Sequence, residues 1–123
     1  MRALIIDDSR ALRAIVAKLV KGLGFEVLEA GNGREGLEQL KSQGAVDLSL
    51  VDWNMPDMNG IQFIQAVRAQ EQYNDMKLMV ITTQTEIDHI TEALESGANE
   101  YLMKPFTKEA LLTKLEMLGI VNP

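Results

Sequence analysis

The sequence predicts an α/β fold, a doubly wound, five-stranded parallel sheet covered by helices on both faces. Three observations carry that expectation. Five short apolar runs alternate with segments of helical periodicity along the whole chain, the pattern of successive βαβ units. The runs are close to continuously apolar, as strands buried on both faces are. The 123 residues suffice for one compact domain with one core, and no linker, repeat or low-complexity tract divides them.

The first strand is "ALIID" (Ala3 to Asp7). Ser9 then stands where it can cap a helix whose apolar positions are Leu12, Ile15, Val16, Leu19 and Leu23. "EVLEA" (Glu26 to Ala30) is the second strand, and Asn32 with Glu35 three residues on resembles a capping box for the second helix. Gly36 weakens that helix by up to about 1 kcal/mol relative to Ala. "DLSLVD" (Asp47 to Asp52) is the third strand; Ser49 interrupts its apolar run, and its hydroxyl is expected to bond locally. Ile61, Ile64 and Val67 mark the third helix, and "KLMVITT" (Lys77 to Thr83) the fourth strand. Ile87, Ile90 and Leu94 predict a fourth helix from about Glu86 to Ser96, closed by Gly97. "EYLMK" (Glu100 to Lys104) is the fifth strand, followed by a helix with Leu111, Leu112, Leu115 and Leu118 on one face.

Composition narrows the function classes. With 46% hydrophobic and 24% charged residues, neither disorder nor a membrane span is favoured. Asp7 and Asp8 end the N-terminal apolar run before it reaches signal-peptide length, so the protein is expected to stay in the cytoplasm. There is no Cys for a disulfide or thiolate site. A net charge of -6 argues against a nucleic-acid partner; no membrane partner is expected either, and the chain is expected to be a monomer.

In an open parallel sheet, ligands bind outside the carboxyl ends of the strands. Here the first strand ends in Asp7 and Asp8, the third in Asp52, the fourth in Thr82 and Thr83, and the fifth in Lys104. If the second strand lies at an edge, the order 2-1-3-4-5 gathers three carboxylates beside a hydroxyl and an ammonium. Such carboxylates repel one another unless a cation offsets them. An oxygen-only set points to a hard ion such as Mg²⁺, which takes one or two carboxylates and phosphate oxygens. Singly, "DDS" is ordinary N-cap chemistry and "MPDMNG" an ordinary turn; the functional reading rests on their joint occurrence with Thr82 and Lys104.

With "IIDDS", "VDWNMPDMNG", "ITT" and "YLMKPF", the chain from Leu4 to about Leu118 resembles the response-regulator receiver domains, most closely the single-domain, CheY-like chemotaxis type. The resemblance implies a flavodoxin-like (βα)5 fold with strand order 2-1-3-4-5, and a single receiver domain over residues 1–123 without an output domain. It implies that Asp52 is the phosphoacceptor, that Asp8 and Asp52 ligate Mg²⁺ with the main-chain carbonyl of Asn54, and that Asp7 holds a metal-bound water. By the same resemblance Thr82 and Lys104 meet the phosphoryl oxygens, Tyr101 is the switch residue, Asn54 and Gln84 line the path of attacking water, and Lys104-Pro105 is cis.

The function so implied is a two-component response regulator. It accepts a phosphoryl group from a histidine kinase or a small phosphodonor, assisting only its own phosphotransfer and autodephosphorylation. Output is expected through the fourth helix, fifth strand and last helix, from Glu86, His89, an exposed Ile90, Tyr101 and the vicinity of Lys108, to a downstream protein. Glu86, Asp88 and Glu92 make that face more acidic than is expected of a flagellar-switch binder, which points to a kinase or another adaptor; the flagellar motor is the partner that the resemblance alone implies. A scaffold or phosphate sink is the alternative within the family. A flavin carrier would need an anion-friendly first loop, which "DDSR" is not. A phosphatase of the haloacid dehalogenase type would space its first two Asp residues by two, whereas Asp7 and Asp8 are adjacent. Trp53 is expected as a partly exposed lid beside the metal, His89 as solvated surface, and Met55 and Met58 as flanks of the pocket.

Overall fold

The computed structural model describes residues 1–53, 55, 58–83 and 88–120. Strands β1 (Arg2–Ile6), β2 (Glu26–Ala30), β3 (Leu48–Asp52), β4 (Lys77–Thr82) and β5 (Glu100–Met103) form one parallel sheet in the order β2-β1-β3-β4-β5. They alternate with helices α1 (Arg10–Gly22), α2 (Gly33–Gln43), α3 (Gly60–Arg68), α4 (Ile90–Ser96) and α5 (Lys108–Met117), with a 3-10 turn at Glu71–Tyr73. Every strand lies within one residue of its expected bounds. No helix among the described residues is long and apolar enough to cross a membrane.

Successive strand residues face opposite sides of a sheet, which accounts for the continuous apolar runs. Leu4, Ile6, Val51, Leu78 and Val80 pack with Phe63, Ile64 and Val67 of α3, Leu40 of α2 and Ala93 of α4. Ala3, Ile5, Leu50, Met79, Ile81 and Leu102 pack on the other side with Val16, Ala17 and Val20 of α1 and Leu111 and Leu115 of α5.

Local signals hold with informative exceptions. Ser9 Oγ accepts from Leu12 N at 3.3 Å, and Asn59 and Gln62 cap α3 reciprocally. The Asn32 side chain accepts from Glu35 N, but the Glu35 carboxylate accepts from Gly31 N at 3.0 Å, one residue before the expected partner. Gly36, the weak point of α2 by propensity, is required by packing. A Cβ there would collide with the Ile6 side chain and stand 3.1 Å from Phe63 Cε1; the helix gives up propensity for a close approach to β1.

Four side chains sit otherwise than expected. Leu12 and Ile15 are exposed, at 43% and 58%, although they share the helical periodicity of α1. The stripe that meets the sheet is Val16, Ala17 and Val20, and the apolar residues beside it form a second stripe. Ile90 is buried rather than exposed, because it and Ala93 form the inner face of α4. Ser49 is fully buried, and its hydroxyl donates to Met76 Sδ at 3.2 Å, a partner distant in sequence rather than a local one.

Arg68 closes the amino-terminal side of the sheet. Its guanidinium donates to the carbonyls of Gly97 (3.0 Å), Tyr73 (2.9 Å) and Met76 (2.8 Å) and to Asn99 Oδ1 (2.8 Å), and Asn99 Oδ1 also accepts from Leu78 N. One side chain thereby joins the end of α3 to the turns entering β4 and leaving α4.

Candidate functional site

Register builds the site. Ile6 is paired with Val51 and Asp52 with Ile81, so Asp7 and Asp52 leave neighbouring strands at the same edge of the sheet. Asp7 and Asp52 are buried and Asp8 is exposed, and one carboxylate oxygen from each lies within 4.8 Å of the others. Lys104, just beyond β5, places its ammonium 3.0 Å from Asp52 Oδ1 and 3.5 Å from Asp7 Oδ2. Lys104 N donates to Thr82 O at 2.6 Å, and Lys104-Pro105 is cis as expected.

Asp7 is fixed from several sides: its Oδ1 accepts from Ser9 N at 2.8 Å, its own N–H donates to Ala30 O, and its carbonyl accepts from Arg13. Thr82 is buried, and its hydroxyl donates to the Thr83 carbonyl at 3.3 Å.

Burial raises the Asp52 pKa to about 6 from the ordinary 3.8; Lys104 works against that rise, and Asp7 and Asp8 add to it. For Lys104, burial alone acts downward, but the hydrogen bond and charge of Asp52, with Asp7, carry its pKa above the ordinary ammonium value. Three carboxylates against one ammonium leave two negative charges when all are ionised. A divalent ion neutralises that remainder, and the all-oxygen donor set suits a hard one. The residues present therefore fit Mg²⁺.

The structure brings together Asp7, Asp8, Asp52 and Lys104, and sets Thr82 at the end of the adjoining strand. Asn54, together with Gln84, Glu86 and Ile87, lies outside the described residues. Tyr101 stands apart on β5, half-buried under the Lys114 ammonium, which is 4.2 Å from its ring centroid. Lys114 is also bonded to Glu100 Oε1 at 2.9 Å, and that oxygen accepts from Tyr101 N. Trp53 is not a partly exposed lid. It is buried at 9%, stacked on His89 with ring centroids 5.0 Å apart, and packed over the start of α3, where a Cβ on Gly60 would come 3.2 Å from its ring. His89 is exposed, as expected, yet gains a ring partner. Met55 is core, and Met58 packs against Gly33.

Sequence reasoning missed Arg13 and Lys114. Each is a cation one or more helical turns from the residue it serves, and only helix-to-strand packing brings the two together. It also missed a groove of about 410 Å³ in which Leu12, Ile15, Leu19 and Phe106 run up to Asp7 and Lys104.

The sequence profile described as "Response regulator receiver domain" matches residues 3–116. The chemotaxis protein CheY of Pseudomonas aeruginosa is 40% identical over 119 residues, 96% of this chain and 95% of that protein. A chemotaxis protein CheY homolog of Campylobacter jejuni is 39% identical over 117 residues, 94% of this chain and 90% of its own. The solved structure of Vibrio cholerae chemotaxis protein CheY4 matches with a TM-score of 0.86 at 36% identity, covering 94% of this chain and 96% of that one. From profile, relatives and sheet order alike, the chain belongs to the response-regulator receiver domains, as a CheY-like member.

Proposed function

We propose that this receiver is a phosphorylation-controlled binding module in which Asp52 accepts a phosphoryl group from a histidine kinase or a small phosphodonor. The supporting observation is the Asp52 carboxylate, rigidly held at the end of a central strand, 3.0 Å from the Lys104 ammonium and inside a three-carboxylate cluster. In the proposed step an Asp52 oxygen attacks phosphorus in line with the donor's leaving group. The new O–P bond forms as the donor's N–P or O–P bond breaks, and the leaving group keeps the electron pair. Such a step needs mainly positioning and charge stabilisation. Lys104, whose ammonium is 3.0 Å from Asp52, would follow the transferred oxygens. Asp7, Asp8 and Asp52, with the Asn54 carbonyl, would hold Mg²⁺, whose bound charge neutralises carboxylate and phosphoryl oxygens. The apolar groove that ends at Asp7 and Lys104 supports a protein donor, because a partner seated there holds its phosphoryl group beside the acceptor. The test is incubation with acetyl phosphate and Mg²⁺: wild type should acquire acid-stable, base-labile phosphate, and Asp52→Asn should not.

Output is proposed to run from Thr82 to Tyr101. An acyl phosphate adds charge of about -1.5 to -2 and acceptor oxygens that draw the Thr82 hydroxyl from the Thr83 carbonyl. The space it vacates admits the Tyr101 ring, at the cost of the Lys114 contact. The surface that changes is then Tyr101, α5 near Lys114, and α4 through its exposed Leu94, since Ile90 is buried. A downstream protein is the proposed reader: the relatives' names point to chemotaxis, and the family resemblance to the flagellar motor or another adaptor. Amide hydrogen exchange with and without phosphorylation should change at Thr82, Tyr101 and the Lys114 turn; change confined to the β1–α1 loop contradicts this route.

A further inference from the structure

Asp7 and Asp8 are adjacent, yet the protein holds them by different means. Asp7 is restrained through its own carboxylate, by Ser9 N on one oxygen and by Lys104 facing the other. Asp8 is exposed and shares none of those bonds, so the direction of its side chain follows the peptide that joins it to Asp7. Arg13 holds that peptide. Its Nη1 donates to the Asp7 carbonyl at 2.8 Å, while its Nε pairs with Glu29 Oε1 at 3.1 Å on β2. The side chain is only 18% exposed, so the fork lies against the sheet edge and reaches one main-chain acceptor, the Asp7 carbonyl, together with the more exposed Glu29 carboxylate.

We propose that Arg13 is a positioning residue for the cation site, aiming Asp8 by clamping the Asp7–Asp8 peptide. This rests on the reading of Asp7, Asp8 and Asp52 as a Mg²⁺ site. Two effects of opposite sign meet at Arg13. As a positive charge near an incoming cation it opposes binding, so charge alone predicts tighter Mg²⁺ binding on its removal. As a clamp it favours binding, and loss of an outer residue that orients a metal ligand typically weakens affinity about tenfold or more. Glu29 already offsets the guanidinium charge at 3.1 Å, so the clamp is the larger effect.

The experiment is a Mg²⁺ titration of the full chain by calorimetry, and by the fluorescence of Trp53, the only Trp. Each variant's melting temperature in chelator ensures that all are compared fully folded. Arg13→Met should bind Mg²⁺ roughly tenfold more weakly, Arg13→Lys should recover part of the loss, and Glu29→Gln, which keeps the carbonyl bond, should stay within about twofold of wild type. Arg13→Met binding as tightly as wild type or more tightly overturns the proposal, and so does an equal loss in Glu29→Gln. If wild type shows no Mg²⁺ response, or Asp8→Ala responds as wild type does, the cation reading itself falls and this inference with it.

Discussion

Replacing Asp52 by Asn should stabilise the metal-free protein by roughly 1–3 kcal/mol near pH 7.5 and by almost nothing near pH 4. The Asp52 pKa is raised in the fold to about 6 from 3.8, with burial as the main cause. The folded state therefore holds this proton more tightly than the unfolded chain does. The stability linked to it is complete below about pH 4 and is lost as pH rises through about 6. Near neutrality, wild type carries a charge that its surroundings oppose, and Asn removes it with little change of shape. The shift is already net of the Lys104 contact at 3.0 Å, Lys104 keeps Asp7 at 3.5 Å in the variant, and solvent screening at the sheet edge holds the gain at or below the full shift. Saturating Mg²⁺ should narrow the difference, since binding to the native state stabilises wild type by mass action. Urea unfolding in chelator at the two pH values measures it. An Asn variant less stable than wild type near pH 7.5, or equally shifted at both, contradicts the assignment.

Arg68→Met should destabilise the protein by about 2–4 kcal/mol. The guanidinium serves four acceptors on two connections, the Tyr73 and Met76 carbonyls before β4, and the Gly97 carbonyl and Asn99 Oδ1 between α4 and β5. Burial lowers its pKa, but an Arg stays charged in proteins. Met preserves much of the stem and removes every donor, leaving part-buried carbonyls to water alone. Lys offers a point charge in place of a planar fork, so Arg68→Lys should recover less than half of the loss. Gly97 belongs to the same junction: it has φ +123° and a Cβ there would press on Arg68 Cγ at 2.6 Å. Equilibrium unfolding is the check, and a loss below about 1 kcal/mol for Arg68→Met would show that solvent satisfies these acceptors.

What the sequence makes legible is what the parallel sheet itself dictates. Burial on both faces writes the inner strands β1, β3 and β4 as apolar runs, and the residues that end the strands mark the carboxyl edge of the sheet, which is why Asp7, Asp52, Thr82 and Lys104 can be picked out one strand at a time. Periodicity shows that a helix is amphipathic without saying which of two adjoining apolar stripes meets the sheet. Leu12 and Ile15 on α1 therefore look like core while Ala17 holds the contact, and Ile90 looks available while it is inside. Propensity misjudges Gly36 because the cost of a Cβ there is set by Ile6 and Phe63, remote in sequence. Arg13, Lys114 and the Trp53–His89 stack depend on helices docking against strand ends. Those contacts follow from tertiary geometry, and no spacing along the chain announces them.

In the proposed function everything depends on Asp52 taking the phosphoryl group. The most direct test is the position of that group in protein treated with acetyl phosphate and Mg²⁺, read by mass spectrometry of peptides after acid quenching. One phosphoryl group is expected on the peptide carrying Asp52, absent when Mg²⁺ is chelated and absent from Asp52→Asn. Phosphate on any other residue, or phosphate retained in Asp52→Asn, would contradict it.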